Sequence, residues 1–194
     1  MKYTLGVDEA GRGPLAGPVA VGVVAVAEGY DILANFPGLN DSKQLSEKKR
    51  EVLFQILQEE IKKGNVRAVV QMVSAKLIDE GGIAPAIKHS VATGVRKLLA
   101  VPDEGKVFLD GALHAPDEYE QETIIGGDGI VPAIMLASIA AKVTRDKHMV
   151  KISELYPEYD FAKHKGYGTK AHIAAIKKFG VSDEHRQTFL KKIL

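Results

Sequence analysis

The order of the apolar patterns along the chain is the feature that most restricts its fold. Five segments have the alternation or β-branched content of strands: 2–8, 19–26, 66–73, 106–110 and 121–125. Helical spacing or capping signals predict five helices: 46–63, 83–99, 130–155, 169–179 and 182–193. Strands with interspersed helices, followed by helices alone, predict an α/β fold in which helices flank a mixed sheet and a helical appendage follows at the C-terminal side.

The length and composition exclude several classes of protein. A chain of 194 residues fits one domain, here residues 1–194, with a small helical C-terminal subdomain that begins between about residues 141 and 165. Cysteine is absent, which excludes thiol nucleophiles and disulfides and fits a reducing compartment. We find neither a signal-peptide pattern nor an apolar run of the roughly 20 residues needed to span a bilayer. We therefore expect a cytoplasmic monomer with no membrane partner.

Charge is distributed unevenly, although the net charge is only +1. Residues 141–194 contain 12 Lys and Arg against 6 Asp and Glu, which leaves an excess of acidic residues in the rest of the chain. Two interpretations remain open: an acidic metal site that faces a basic surface for a polyanion, or a solvated helical surface.

Acidic residues close or follow three of the predicted strands. Asp8 and Glu9 close the first, Asp110 closes the fourth, and Asp128 follows the fifth after two glycines. Carboxylates at neighbouring strand ends can converge, and Mg²⁺ prefers oxygen ligands. Because adjacent strand residues point to opposite faces, Asp8 ranks above Glu9 as a ligand unless the strand twists or ends there. A single acid at such a position is more often a turn former, so the prediction depends on the joint pattern.

Five segments carry a resemblance to a known family: GVDEAGRGPLAGPV (6–19), DSKQL (41–45), DG (110–111), ASIAAKVTRD (137–146) and HKGYGT (164–169). In this order they resemble the type 2 ribonuclease H family, in its bacterial form, ribonuclease HII. The resemblance implies a ribonuclease H-like fold. It also implies a metal-dependent endonuclease that cuts the RNA strand of RNA/DNA hybrids and incises at single ribonucleotides in duplex DNA, leaving 3′-hydroxyl and 5′-phosphate ends.

The same resemblance assigns roles to individual residues. The four catalytic, metal-binding acids are Asp8, Glu9, Asp110 and Asp128, which would hold Mg²⁺ or Mn²⁺, with two ions expected. The substrate-binding residues that the resemblance implies are Gly11, Arg12, Gly13 and Tyr167, and Lys43 and Ser138 are predicted to join them. Within that set the Gly-Arg-Gly tripeptide would grip the backbone around the ribonucleotide, and Tyr167 would recognise the ribose-to-deoxyribose junction. The family usually has a lysine where this chain has Gly126.

The residues themselves agree with these roles but allow other interpretations. Glycines at 11 and 13 let backbone amides approach a phosphate or a 2′-hydroxyl, although a tight turn would also use them. Lys43 can reach a phosphate or be an ordinary surface lysine. Asp146 lies four residues after Lys142 and can be a fifth metal-binding acid or, as we expect, part of a structural ion pair.

Parts of the sequence are also compatible with two rival functions and with one further partner. Another nuclease of the same fold, such as a junction resolvase, would not need the Gly-Arg-Gly tripeptide with Tyr167. A non-catalytic nucleic-acid-binding module would not need acids at all four positions.

The tail QTFLKKIL (187–194) weakly resembles a sliding-clamp-binding motif through Gln187 and Leu190. It lacks the terminal aromatic pair of that motif, so a closing amphipathic helix is favoured.

Overall fold

A computed structural model describes residues 2–191 of the chain. Its strands are β1 (Tyr3–Ala10), β2 (Val19–Ala27), β3 (Val66–Val73), β4 (Gly105–Asp110) and β5 (Glu120–Ile124). Its helices are α1 (Ile32–Asn35), α2 (Glu47–Lys62), α3 (Ala75–Gly81), α4 (Ile83–Leu98), α5 (Pro132–Leu155), α6 (Phe161–His164), α7 (Lys170–Phe179) and α8 (Gln187–Leu190). Within the described range, no helix is long and apolar enough to cross a membrane.

The five strands form one mixed sheet in the order β3-β2-β1-β4-β5. The β1-β2 and β2-β3 pairs are antiparallel, whereas β1-β4 and β4-β5 are parallel. Val7 pairs with Leu109, so the carboxyl ends of β1 and β4 lie side by side. This register brings the acid that follows each of these two residues to the same edge of the sheet.

Helices cover both faces of the sheet and bury its alternating apolar residues. On one face Leu5 and Val7 pack with α4, whose Val91 and Val95 are fully buried. On the other face α5 covers β1 and β2, and α2 packs against α5 and β3. This confirms the predicted α/β fold, a mixed sheet flanked by helices with a helical C-terminal region.

Glycine determines how closely α5 approaches the sheet. A Cβ atom on Gly6 would lie 2.1 Å from the backbone of Ala133, and one on Gly22 would lie 2.3 Å from the carbonyl oxygen of Ala137. Both are shorter than any tolerated contact, so the absence of a side chain at these positions is required for the packing. Because α5 lies directly on β1 and β2, Ser138 is held beside the carboxyl end of β1.

The C-terminal helices pack around a third apolar cluster. It contains Leu15, Met149, Phe161, Ile176 and Leu190, so the residues after β1 share a core with α5, α6, α7 and α8. The prediction that residues 1–194 form one domain, with a helical subdomain from about 141–165 onward, stays a prediction.

Several local predictions are corrected. The helix predicted for 182–193 is limited to Gln187–Leu190 within the described residues, because residues 184–186 bond in extended form to residues 15–17; Lys192 and Ile193 lie outside the described residues. No element was predicted for the residues of α3, which Ser74 caps, or for those of α1.

Candidate active site

Three acids from three elements meet at one edge of the sheet. Asp8 lies on β1, Asp110 ends β4, and Asp128 lies in the 3-10 turn 127–129 that follows β5. One carboxylate oxygen from each lies within 4.8 Å of the other two. The backbone N–H of Asp128 donates to Asp110 Oδ1 at 3.3 Å, which fixes the turn against the end of β4. The parallel pairing of β1 and β4 explains why residues 102 positions apart converge here.

The pKa of Asp8 is raised to about 7, chiefly by burial and in smaller part by the nearby charge of Asp110. Two hydrogen bonds oppose this effect: one from the Ser138 hydroxyl, and one from the Glu9 N–H to Asp8 Oδ1 at 2.7 Å. Asp8 and Asp128 are each only 5% exposed. Buried carboxylates this close together are stabilised by a bound cation, and a set of oxygen donors fits a hard divalent ion such as Mg²⁺ or Mn²⁺.

Glu9 lies on the opposite face of β1 from Asp8. Its pairing partner on β2 is Val21, which packs in the core beneath α4, whereas Asp8 pairs with Gly22 beneath α5. The strand continues to Ala10, so it does not end at the acidic pair. Glu9 is not in the group of three acids; instead, Arg12 Nη1 lies 3.5 Å from Glu9 Oε1. Burial raises the pKa of Glu9, and the charge of Arg12 opposes that shift.

A cavity of about 410 Å³ lies beside the acids. Most of the predicted site residues line it: Asp8, Glu9, Gly11, Arg12, Gly13, Lys43, Asp110, Ser138 and Tyr167. Asp128 is the one predicted residue that does not line it. A larger cavity of about 750 Å³ lies between α3 and α8, but no predicted site residue lines it. The smaller cavity is the candidate functional site, because the carboxylates of Asp8, Glu9 and Asp110 line it.

Lys43 is held against the acids by the loop before α2. Its Nζ lies 2.7 Å from Asp128 Oδ2, and this hydrogen bond raises the pKa of Lys43. The neighbouring Ser42 hydroxyl lies 2.9 Å from that of Ser138 on α5, and Arg50 of α2 donates to the Ser42 carbonyl at 2.8 Å. Sequence reasoning missed Ser42 and Arg50 as site residues; the adjacency of Ser42 to Lys43 was the available signal.

Tyr167 lies in a loop between α6 and α7 that docks on the segment after the Gly-Arg-Gly tripeptide. Its side chain is 45% exposed at the rim of the cavity. The carbonyl of Gly166 accepts hydrogen bonds from the N–H groups of Leu15 and Ala16 at 2.8 and 3.3 Å. Tyr167 is therefore a surface residue rather than a tyrosine of the core.

Asp146 forms the structural ion pair that we expected. Its carboxylate lies 2.9 Å from Lys142 Nζ, one helical turn earlier on α5. Asp146 is not in the group of three acids, whereas Lys142 lines the cavity and was not predicted as a site residue.

Comparisons with known proteins identify relatives along almost the whole chain. A family profile described as Ribonuclease HII matches residues 5–192. Ribonuclease HII of Aliarcobacter butzleri is 48% identical over 100% of this chain and 94% of its own length. Ribonuclease HII of Endomicrobium trichonymphae is 48% identical over 95% of this chain and 83% of its own length.

Solved structures share the fold. The ribonuclease H2 of Pyrococcus horikoshii has a TM-score of 0.74 at 25% identity and covers 98% of this chain and 96% of its own. A PCNA:RNase HII complex from Archaeoglobus fulgidus contains a chain with a TM-score of 0.76 at 24% identity, which covers 95% of this chain and 94% of its own. A Bst-RNase HIII in complex with Mn²⁺ has a TM-score of 0.70 at 16% identity, over 99% and 69%.

Proposed function

The chain belongs to the ribonuclease HII family and has ribonuclease H endonuclease activity, and from that premise we propose a more specific reaction. We propose that it hydrolyses the RNA strand of RNA/DNA hybrids and incises at single ribonucleotides in duplex DNA, leaving 3′-hydroxyl and 5′-phosphate ends. The observation that supports this is the convergence of Asp8, Asp110 and Asp128 beside a cavity that is also lined by the Gly-Arg-Gly tripeptide and Tyr167.

We propose Mg²⁺ or Mn²⁺ as the cofactor, with two ions held by Asp8, Glu9, Asp110 and Asp128. Divalent ions are used throughout the ribonuclease H family, and the related Bst-RNase HIII was solved with Mn²⁺. When bound, such ions lower the pKa of a water and stabilise the charge on the leaving oxygen. The protein supplies the fixed carboxylates, and the Ser138 hydroxyl orients the carboxylate of Asp8 through a hydrogen bond.

Substrate recognition is proposed for residues around the rim of the cavity. At Gly13 a Cβ would meet nothing within 4 Å, so its backbone amide is open to a phosphate or a 2′-hydroxyl, the group that distinguishes RNA from DNA. Gly11 belongs to the same loop, but its missing Cβ makes room for the side chain of Arg145. The exposed guanidinium of Arg12 and the ammonium group of Lys43 supply positive charge for the phosphate backbone. The exposed ring of Tyr167 offers a face for stacking and a hydroxyl for hydrogen bonding at the ribose-to-deoxyribose junction.

A cleavage assay tests this proposal directly. The substrate is an end-labelled DNA duplex with one ribonucleotide, compared with a long RNA/DNA hybrid and an all-DNA duplex, each with Mg²⁺ or Mn²⁺. We expect cleavage of the first two only, and its loss in Asp110→Asn with the melting temperature nearly unchanged, because Asp110 is a half-buried ligand whose replacement opens no cavity. Near-normal turnover by Asp110→Asn at saturating Mg²⁺ would contradict the four-acid site.

The tail is a second, weaker candidate for a partner contact. We propose that a sliding clamp binds it through Gln187, whose side chain is exposed and lines the larger cavity. The archaeal structure of a PCNA:RNase HII complex supports this. Leu190, the second residue of the motif, is only 3% exposed and packs in the C-terminal core, which favours the closing helix; Lys192 to Leu194 lie outside the described residues. Calorimetry with purified clamp, for the intact chain and Gln187→Ala, tests this contact.

We also propose that the protein is a monomer and that it is located in the cytoplasm.

A further inference from the structure

A buried arginine holds the backbone of the Gly-Arg-Gly loop (residues 11–13). Arg186 is 0% exposed, and its guanidinium donates to the carbonyls of Gly11, Arg12 and Gly17 at 2.6, 2.9 and 3.0 Å. A buried charge is costly unless its donors are satisfied, and here backbone carbonyls satisfy them. Asp79 of α3 supplies the opposite charge nearby and also accepts hydrogen bonds from the N–H groups of the first two residues of α8.

The planar trans peptide converts this contact into an orientation of the loop amides. In such a peptide the C=O of one residue and the N–H of the next point in opposite directions. Because Arg186 draws the carbonyls of Gly11 and Arg12 inward, the N–H groups of Arg12 and Gly13 point away from it. Among the described residues, neither of these amides donates a hydrogen bond, and both residues line the cavity. They are therefore available to an acceptor on a bound duplex.

His185, the residue before Arg186, is hydrogen-bonded to His172, which in turn is hydrogen-bonded to the Tyr167 loop (residues 165–169). His172 Nδ1 lies 2.9 Å from the carbonyl oxygen of Tyr167, which can only accept, so Nδ1 carries the proton. The Nε2 atom of neutral His172 is then an acceptor, and the Nε2–H of His185, 3.1 Å away, donates to it. The remaining nitrogen of His185, Nδ1, accepts from the N–H of Ser182 at 2.9 Å, so one set of neutral tautomers satisfies every bond.

Backbone contacts complete the link between the two loops. His185 forms a β-bridge with Ala16, and the N–H of Arg186 donates to the carbonyl of Leu15 at 2.8 Å. Leu15 and Ala16 in turn donate to the carbonyl of Gly166 in the Tyr167 loop. Residues 15 and 16 are thus held between the segment that carries His185 and Arg186 and the loop that carries Tyr167.

We infer that His185 and Arg186 are positioning residues that fix the spacing between the Gly-Arg-Gly loop and Tyr167, and that this spacing determines selectivity for a single ribonucleotide. The inference rests on the proposed function. A lone ribonucleotide presents its 2′-hydroxyl and its junction at one separation only, so both loops must be correctly spaced. A long hybrid offers a 2′-hydroxyl at every nucleotide of its RNA strand, so it tolerates a displaced loop. Loss of either residue therefore affects the first substrate more than the second.

The test compares conservative and disruptive variants on both substrates. Arg186→Lys keeps the positive charge but loses the planar fork that reaches three carbonyls. His185→Leu removes the donor to His172, whereas His185→Gln retains an amide N–H in place of Nε2–H. For Arg186→Lys and His185→Leu we expect KM for the single-ribonucleotide duplex to rise roughly tenfold, against less than threefold for the long hybrid. His185→Gln is expected to restore most of the selectivity.

Matched controls and the melting temperature separate positioning from stability. Arg96→Lys and His89→Leu change the same residue types at exposed positions on α4 and should leave both KM values unchanged. All measurements are made at a temperature at which each variant is folded. If Arg186→Lys and His185→Leu lower the melting temperature but keep the ratio of the two KM values within twofold of wild type, the two residues are structural only and the inference is wrong. If the wild-type chain cleaves neither duplex, the proposed function itself fails.

Discussion

We predict that a proton and the metal ion compete for the carboxylate of Asp8, so that the affinity for the metal ion depends on pH. The pKa of this carboxyl is raised from 3.8 to about 7, chiefly by burial. A carboxylate must be deprotonated to bind a divalent ion, so ion binding displaces the proton. Since the pKa is raised, the proton is bound below pH 7 and lost above it, and apparent metal affinity must increase with pH across this range.

The size of the effect follows from a single titrating site. Protonation of Asp8 multiplies the apparent dissociation constant of the metal ion by one plus the ratio of protonated to deprotonated Asp8. This factor is about 11 at pH 6, about 2 at pH 7 and close to 1 at pH 8. The difference between pH 6 and pH 8 is thus roughly tenfold, equivalent to about 1.4 kcal/mol. Binding should release about 0.9 proton per ion at pH 6 and about 0.1 at pH 8.

Isothermal titration calorimetry with Mn²⁺ measures both quantities. Titrations at pH 6, 7 and 8, each in two buffers of different ionisation enthalpy, give the affinity and the number of protons released. Asp8→Asn is the matched control, since it keeps the shape of the side chain but has no titratable proton, and its weaker affinity should vary little with pH. An affinity that stays constant within twofold from pH 6 to 8 in the wild-type chain, with no proton release, would refute the reasoning.

Three further changes test other parts of the structure. Tyr167→Ala should reduce cleavage of a lone ribonucleotide by roughly tenfold, about 1.4 kcal/mol, with little change in melting temperature because the ring is 45% exposed; a large fall in melting temperature with normal cleavage would make the residue structural. Gly22→Ala places a Cβ 2.3 Å from the carbonyl of Ala137 and should lower the free energy of unfolding by about 1–3 kcal/mol, measured by urea titration against Gly81→Ala, where a Cβ meets nothing within 4 Å. Lys43→Ala should reduce the slope of log binding constant against log salt by about one, measured by fluorescence anisotropy on the duplex; an unchanged slope would show that Lys43 does not contact a phosphate.

The sequence by itself determined the features that depend on neighbouring residues. The period-two alternation of β1 places Asp8 on the face opposite Leu5 and Val7, as the structure shows. Helix starts were equally local, because the hydroxyls of Ser46 and Thr169 accept from backbone N–H groups three residues later. The family motifs added the proposed site residues, since their spacing is itself a sequence property.

Only the tertiary structure decided which distant groups meet. No periodicity in the chain relates Arg186 to the carbonyls of residues 11, 12 and 17, and local spacing predicted a helix through residue 186. The helix is shorter because Arg186 and His185 instead bond to residues 15 and 16 in extended form, an energetic gain that exists only after the chain has folded back on itself. The pKa of Asp8 has the same origin: desolvation under α5 and the nearby charge of Asp110 arise from packing, so the titration of this carboxyl follows from the fold rather than from its sequence neighbours.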